Sequence, residues 1–283
     1  MKLMKFTAFC LSLTFFLCAD TTFAQKMTAE DVLAKHLDSI GSAKSRDSIK
    51  TRIIVSDAEF LRQKQNPITG KSIIASSNEG AVFGINLDAI NYRLDKFSFD
   101  GKRIRVGYIQ PGIRSTLGNF LTSYETLLKD GLLGGTLSSS WALLDTAGRK
   151  SKLTYDGTEK IDGNETYVLE FQPKGGADIT VKMYFDGKNF RHVRTVYSRV
   201  IGARIGSGGV DSSGRQVETR HRLIEDFSDF KKYGGALTLP SSYKISYSIV
   251  GGALTLNDLW KFKVTDASFN QPLGDNAFDI DAN

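Results

Sequence analysis

From Lys152 to the C-terminus the chain repeats a pattern of period two, and this repetition constrains the fold more than any other feature. Tyr243, Ile245, Tyr247 and Ile249 alternate with Lys244, Ser246 and Ser248; Trp260, Phe262 and Val264 alternate with Lys261 and Lys263. Residues two apart share one face of a β-strand, so each arm has a bulky apolar face and a polar one. After the turn Asp162-Gly163, Tyr167, Leu169 and Phe171 repeat the pattern, with Val168, Glu170 and Gln172 on the opposite side. The arms TYVLEFQP, DITVKMYFD, FRHVRTVYSRVI, RQVETRHRLIEDFSDF, YKISYSIV and LNDLWKFKVTDASF follow each other closely, as in an antiparallel meander. One face of this sheet must leave water. It meets either the protein's own core or a guest.

The N-terminal half supplies a cover and more strands. Thr28 with Asp31 forms a variant capping box, and Val32, Leu33, His36, Leu37 and Ile40 make one stripe that ends at Gly41, an amphipathic helix. Between Ile49 and about Tyr108, short alternating runs separated by Asn66-Pro67, Gly70, Gly80 and Asp100-Gly101 predict five or six further strands. That rhythm then breaks. Phe120, Tyr124, Leu127 and Leu128 share a helical face, Gly131, Gly134 and Gly135 interrupt it, and a second short helix from Ser140 to Leu144 carries Trp141. No domain boundary or fixed-period repeat appears. The expected architecture is mainly β (α+β): a single curved antiparallel sheet of about eleven strands, covered on its concave side by helices.

The first 24 residues read as a secretory signal peptide: Lys2 and Lys5, an apolar run from Phe6 to Ala19, and a cut after Ala24. The domain expected is therefore 25–283, exported and periplasmic or secreted. Cys10 and Cys18 both fall in the leader, and Leu17 stands where a lipobox needs a small residue, so a disulfide, a thiolate metal site and a lipid anchor are not expected. Lys and Arg total 37 against 31 Asp and Glu, scattered, with no basic run or stacking motif for nucleic acid.

Catalytic motifs are missing. His36, His192 and His221 show no metal-ligand spacing; His192 and His221 are expected on solvated strand faces. No G-x-S-x-G occurs, and GSGGVDSSG lacks the Lys-Ser/Thr ending of a P-loop. Glu225, Asp226 and Asp229 in IEDFSDF are expected in solvent at a strand's end. The Gly/Ser-rich segment 202–214 reads as a mobile hairpin tip. Neither an enzyme nor a cofactor is expected.

Three stretches resemble a known family: YDGTEKIDGNETYVLEFQPKGGADITVKMYFDGKNFRHVRTVY, DFSDFKKYGGALTLPSSYKI and the closing VTDASFNQPLGDNAFDI. Over about half the chain they are similar to the periplasmic lipoprotein carriers and receptors of the Lol system, LolA and LolB. The resemblance implies an unclosed β-barrel of about eleven strands, a helical lid, an apolar cavity for acyl chains, and no catalytic residues. It also implies an arginine that locks the lid, for which Arg52 and Arg93 are the candidates. The absence of a lipobox resembles the soluble carrier rather than the anchored receptor. The expected cavity wall is Phe120, Tyr124, Leu128, Trp141, Tyr167, Leu169, Phe171, Tyr243, Ile245, Tyr247, Trp260 and Phe262. The expected partners are a lipid or acylated protein and other envelope proteins, with transient membrane contact and a monomeric state. The alternative is a non-catalytic envelope scaffold of the same fold with a filled interior.

Overall fold

Thr28 caps the first helix as the sequence predicts. Its hydroxyl accepts from the Asp31 N–H at 3.1 Å while the Asp31 carboxylate accepts from the Thr28 N–H at 3.0 Å. The computed structural model describes residues 27–63, 65–202, 218–251 and 254–280. The expected leader and nearly all of segment 202–214 lie outside them. Helix α1 (Ala29–Ile40) and the short α2 (Ala43–Asp47) lead into five strands: β1 (Thr51–Arg62), β2 (Ile68–Ser77), β3 (Ala81–Leu87), β4 (Leu94–Phe99) and β5 (Ile104–Val106).

A connection from residue 107 to 151 follows, with little regular structure. It contains α3 (Thr116–Ser123), α4 (Thr126–Lys129), α5 (Thr146–Arg149) and two single 3₁₀ turns, Gly135–Leu137 and Ala142–Leu144. Seven strands complete the chain: β6 (Lys152–Ile161), β7 (Asn164–Gln172), β8 (Thr180–Asp186), β9 (His192–Ile201), β10 (Thr219–Tyr233), β11 (Leu237–Gly251) and β12 (Leu254–Phe269).

All twelve strands form one antiparallel sheet in the order β5-β4-β3-β2-β1-β12-β11-β10-β9-β8-β7-β6. The two edges, β5 and β6, do not pair with each other, so the barrel stays open. Strand β1 runs without a break through most of IKTRIIVSDAEFLRQKQ, and its residues pair from Arg52↔Phe269 to Arg62↔Asp258 with β12. Asp162 and Gly163, at φ 50° and 83°, make the tight turn between β6 and β7, the left-handed geometry that favours Asp-Gly there.

The topology dictates a cover. The chain leaves the sheet at one edge and re-enters at the other, so the segment 107–151 has to span the sheet, and its apolar side chains bury against the concave face. Leu117, Phe120, Leu121, Leu127, Leu132, Leu137, Trp141 and Leu143 join the sheet's Phe83, Phe97, Leu169, Phe171, Ile245 and Trp260 in one continuous core. Each such large side chain contributes about 1.5–3 kcal/mol by leaving water. Helix α1 adds Val32, His36 and Ile40 and touches β6 and β11. A second, small cluster of Val168, Tyr184 and Val196 belongs to the outward register, the side opposite Leu169 that the alternation assigned to Val168.

Candidate functional site

The residues expected to wall a cavity do converge. Phe120, Leu128, Trp141, Leu169, Phe171, Tyr243, Ile245, Tyr247, Trp260 and Phe262 are buried in the main core, and Tyr124 and Tyr167 are half-buried at its margin. Tyr243 stacks between Phe227 and Phe262, with ring centroids 5.0 and 5.2 Å away. Phe120 meets Tyr124 at 4.8 Å and Tyr247 at 4.9 Å. Tyr167 stacks on Phe190 at 4.9 Å, outside that assembly. Trp260 donates its indole N–H to the Tyr92 hydroxyl at 3.0 Å, and Tyr92 donates to Asp95 at 2.8 Å, where burial pushes the Asp95 carboxyl up to about 6.

The segment 107–151 fills the concave side as a plug. A void of about 20 Å³ separates it from β2, β3 and β4, lined by Ile74, Phe83, Phe97, Leu127 and Leu128, room for about one water and far less than an acyl chain.

Polar groups hold the plug in place, and the sequence reading missed most of them. Glu225 on β10, expected in solvent, is fully buried. Its carboxyl accepts from the Gly134 N–H at 2.8 Å, from the Tyr197 hydroxyl at 2.6 Å and, in a shorter bond, from the Tyr243 hydroxyl. Burial pushes it up to about 7, against the opposing pull of those three donors. A signal existed: Glu225 stands between Leu223 and Phe227 at spacing two, on the inward face.

Arg52 on β1 grips the same backbone from the other side. Its Nη1 donates to the Thr136 carbonyl at 2.5 Å and approaches that of Ser138 at 3.4 Å. Burial lowers it to about 10, still a cation at neutral pH. Of the two candidates for a lid-locking arginine, Arg52 is the one that touches the plug; Arg93 is exposed. Ser76 on β2 adds a third pin, its hydroxyl accepting from the Ser139 N–H at 2.8 Å. Three strands thus hold the stretch 134–139, where Gly134 and Gly135 take φ of 82° and 50°. A Cβ on Gly135 would lie 2.8 Å from the Phe227 ring and 3.1 Å from His192, so the plug comes as close to the sheet as glycine permits.

His192 is the second correction. Expected on a solvated face, it is fully buried, stacked on Trp141 at 5.0 Å and hydrogen-bonded to Thr195 at 2.8 Å. The cause is a bulge: Tyr184 pairs with Arg194 but Phe185 pairs with His192, so β9 skips Val193 and its register inverts. His36 from α1 lies 6.2 Å from it, ring to ring, and bonds the Phe190 carbonyl at 2.8 Å through Nδ1. Burial lowers His36 to about 4 and His192 well below its usual range.

Both imidazoles are neutral when folded, while the unfolded chain takes up protons below 6.5. Their contribution is complete above pH 6.5 and drains away as the pH falls toward about 4. The urea midpoint should therefore drop across that window, and His36→Gln, which keeps a donor for the Phe190 carbonyl, should flatten the drop; an unchanged slope would contradict the burial assignment.

No family model matches the sequence, and no curated protein matches it. Among solved structures the chain is similar to a LolA superfamily protein from Nitrosomonas europaea, at 17% identity and a TM-score of 0.49, over 89% of this chain and 97% of that one. It is also similar to a DUF1329 family protein from Desulfovibrio piger, at 11% identity and a TM-score of 0.42 over the same shares. A third similarity, at 13% identity and a TM-score of 0.40 over 89% and 97%, is to a domain assigned to outer membrane lipoprotein sorting in Vibrio parahaemolyticus. The likeness is one of fold.

Proposed function

We propose that this protein is a soluble envelope carrier that binds a lipid, or the acyl chains of a lipid-modified protein, between the plug and the concave sheet, without catalysis. The observation that carries this reading is the way the plug is held. The stretch 134–139 is pinned to the sheet by Glu225, Arg52 and Ser76 through its backbone, amid an otherwise largely apolar contact surface. Such contacts are directional and give way together once the plug lifts, a hinge-like element of the kind that gates a site.

The energetics suit exchange. An acyl chain of about sixteen carbons gains roughly 12 kcal/mol on leaving water, at about 0.8 kcal/mol per methylene. Displacing Leu127, Leu132 and Leu137 from the sheet spends much of that gain, because one hydrocarbon surface replaces another. Binding strong enough to keep a guest from water, yet weak enough to release it, follows from this near-balance. The nearly closed void favours the second reading, a filled scaffold that docks envelope partners and admits no guest.

A reversible lock separates the two. The sequence has cysteines only at 10 and 18, so Ser76→Cys with Ser139→Cys places one new pair across the pin between β2 and the plug. Oxidised protein should take up the uncharged dye phenylnaphthylamine about tenfold less well than reduced protein, as expected when a closed state excludes a ligand. Equal uptake in both states would put the dye outside the space the plug closes and overturn the gated carrier, and none in either would favour the scaffold. Mass spectrometry of protein purified from its own envelope would identify the guest.

A further inference from the structure

A cleft of about 530 Å³ opens beside the plug, where α2 and the start of β1 face the turn at Ala142–Leu144. Its wall includes Arg52, Ser139 and Trp141, all buried. Each carries a donor with no acceptor among the described residues: Arg52 Nε, Ser139 Oγ and Trp141 Nε1. A buried donor without a partner is costly, and folded proteins satisfy nearly all of them. Of the eight such buried atoms among the described residues, these three belong to residues of one wall, where a single acceptor group could serve them together.

Charge sharpens the identity of that acceptor. Among the described residues Arg52 pairs with no carboxylate and meets only the plug carbonyls of Thr136 and Ser138. A buried guanidinium without a counter-ion is a costly arrangement, and folded chains pair such a charge. The cleft is basic on balance: Arg46, Lys50 and Arg149 join Arg52 against Asp47, Glu79 and Asp145. Phe99 lines both the cleft and the narrow void under the plug, so the two adjoin at that ring.

We infer that the cleft receives the anionic head group of an amphiphile, an oxyanion that accepts from Arg52, Ser139 and Trp141 while its tail enters under the plug. This inference rests on the lipid-binding reading above and names the class of lipid. The oxyanion supplies the charge that Arg52 lacks and satisfies the three open donors, and an uncharged head group can do only part of this. The planar guanidinium suits a phosphate or carboxylate geometrically as well as electrostatically.

Calorimetric titration of the full chain with decyl phosphate, decanol and inorganic phosphate, below the micellar concentration, tests it. Decyl phosphate is expected to bind at least about tenfold tighter than either of the others, as befits a charge-assisted contact. Ser139→Ala, which leaves Arg52 and the apolar packing in place, should weaken decyl phosphate by about fivefold, the scale of one hydrogen bond, and leave decanol unchanged. Arg52→Gln should erase the preference for the charged head. Equal affinity for decanol and decyl phosphate would overturn the head-group site and leave lipid binding standing. Inorganic phosphate binding as tightly as decyl phosphate would overturn both, since the tail would contribute nothing. An unaltered preference in both variants would place the head group elsewhere.

Discussion

Glu225→Ala is expected to lose about 4 kcal/mol of folding stability in mildly acidic buffer. The change strands the Tyr197 hydroxyl, the Tyr243 hydroxyl and the Gly134 N–H in the core and opens a void where the carboxyl was. An unsatisfied buried polar group costs about 1–3 kcal/mol, and breaking a buried polar cluster by removing one member costs about 3–5 kcal/mol. Glu225→Gln keeps the volume and one acceptor oxygen, so it should cost only about 1 kcal/mol. Chemical denaturation of the three proteins side by side measures this. An alanine variant no weaker than the glutamine variant would mean that the carboxyl is not the hub the hydrogen bonds describe.

The same residue gives stability a slope with pH. In the folded state burial holds Glu225 at about 7, above the 4.5 of an unperturbed carboxyl, so between these values the native protein keeps a proton that the unfolded chain releases. Its contribution is therefore complete below pH 4.5 and is lost as the pH rises through about 7, a change on the order of 3 kcal/mol. Asp95, raised to about 6 by burial, acts in the same direction, and the two buried histidines act in the opposite one. Glu225→Gln should remove its share of the decline, so the wild type's small advantage at pH 4.5 shrinks and reverses by the time the pH passes about 7. Parallel profiles would refute it.

Gly131→Ala is expected to lose about 3 kcal/mol and to raise dye uptake, because it forces the plug apart from within. Gly131 has φ 66°, and a Cβ there would lie 2.0 Å from the Ser140 carbonyl oxygen, a backbone atom that cannot rotate away. Gly131 O accepts from the Ala142 N–H at 3.1 Å, and Ser140 O accepts from Arg149 at 2.8 Å, so the clash falls on the closure of the plug's own loop. Gly163→Ala provides the control. Its φ is 83° but nothing lies within 4 Å, so it should cost roughly 1 kcal/mol for the left-handed backbone alone. Equal losses in the two variants, or tighter exclusion of dye by Gly131→Ala, would contradict the role given to this loop.

What the sequence disclosed and concealed follows from register. Alternation placed Leu169, Phe171, Tyr243, Ile245, Trp260 and Phe262 on the inward face, and they lie there. The same rule covers Arg52, in step with Ile54, Ala58 and Phe60, and Glu225, in step with Leu223 and Phe227. Composition argued for solvent, register argued for burial, and register prevailed because the polar backbone of the plug supplied partners. His192 was beyond such reading. Its inward turn depends on a skipped residue at Val193, which no local pattern announces. The plug's path was equally hidden, since it follows from the pairing of β1 with β12 and not from the residues between 107 and 151.

That central pairing also bears on assembly. β1–β5 and β6–β12 are each a run of neighbouring hairpins, and only the seam from Arg52↔Phe269 to Arg62↔Asp258 joins them in the sheet, across nearly the whole length of the polypeptide. Local hairpins form at small entropic cost, whereas closing so long a loop is slow, so the two meanders are expected to take shape first and the seam to zip last. Until it does, the edges of β1 and β12 stay unpaired, and the newly made chain is then most open to mispairing with its neighbours.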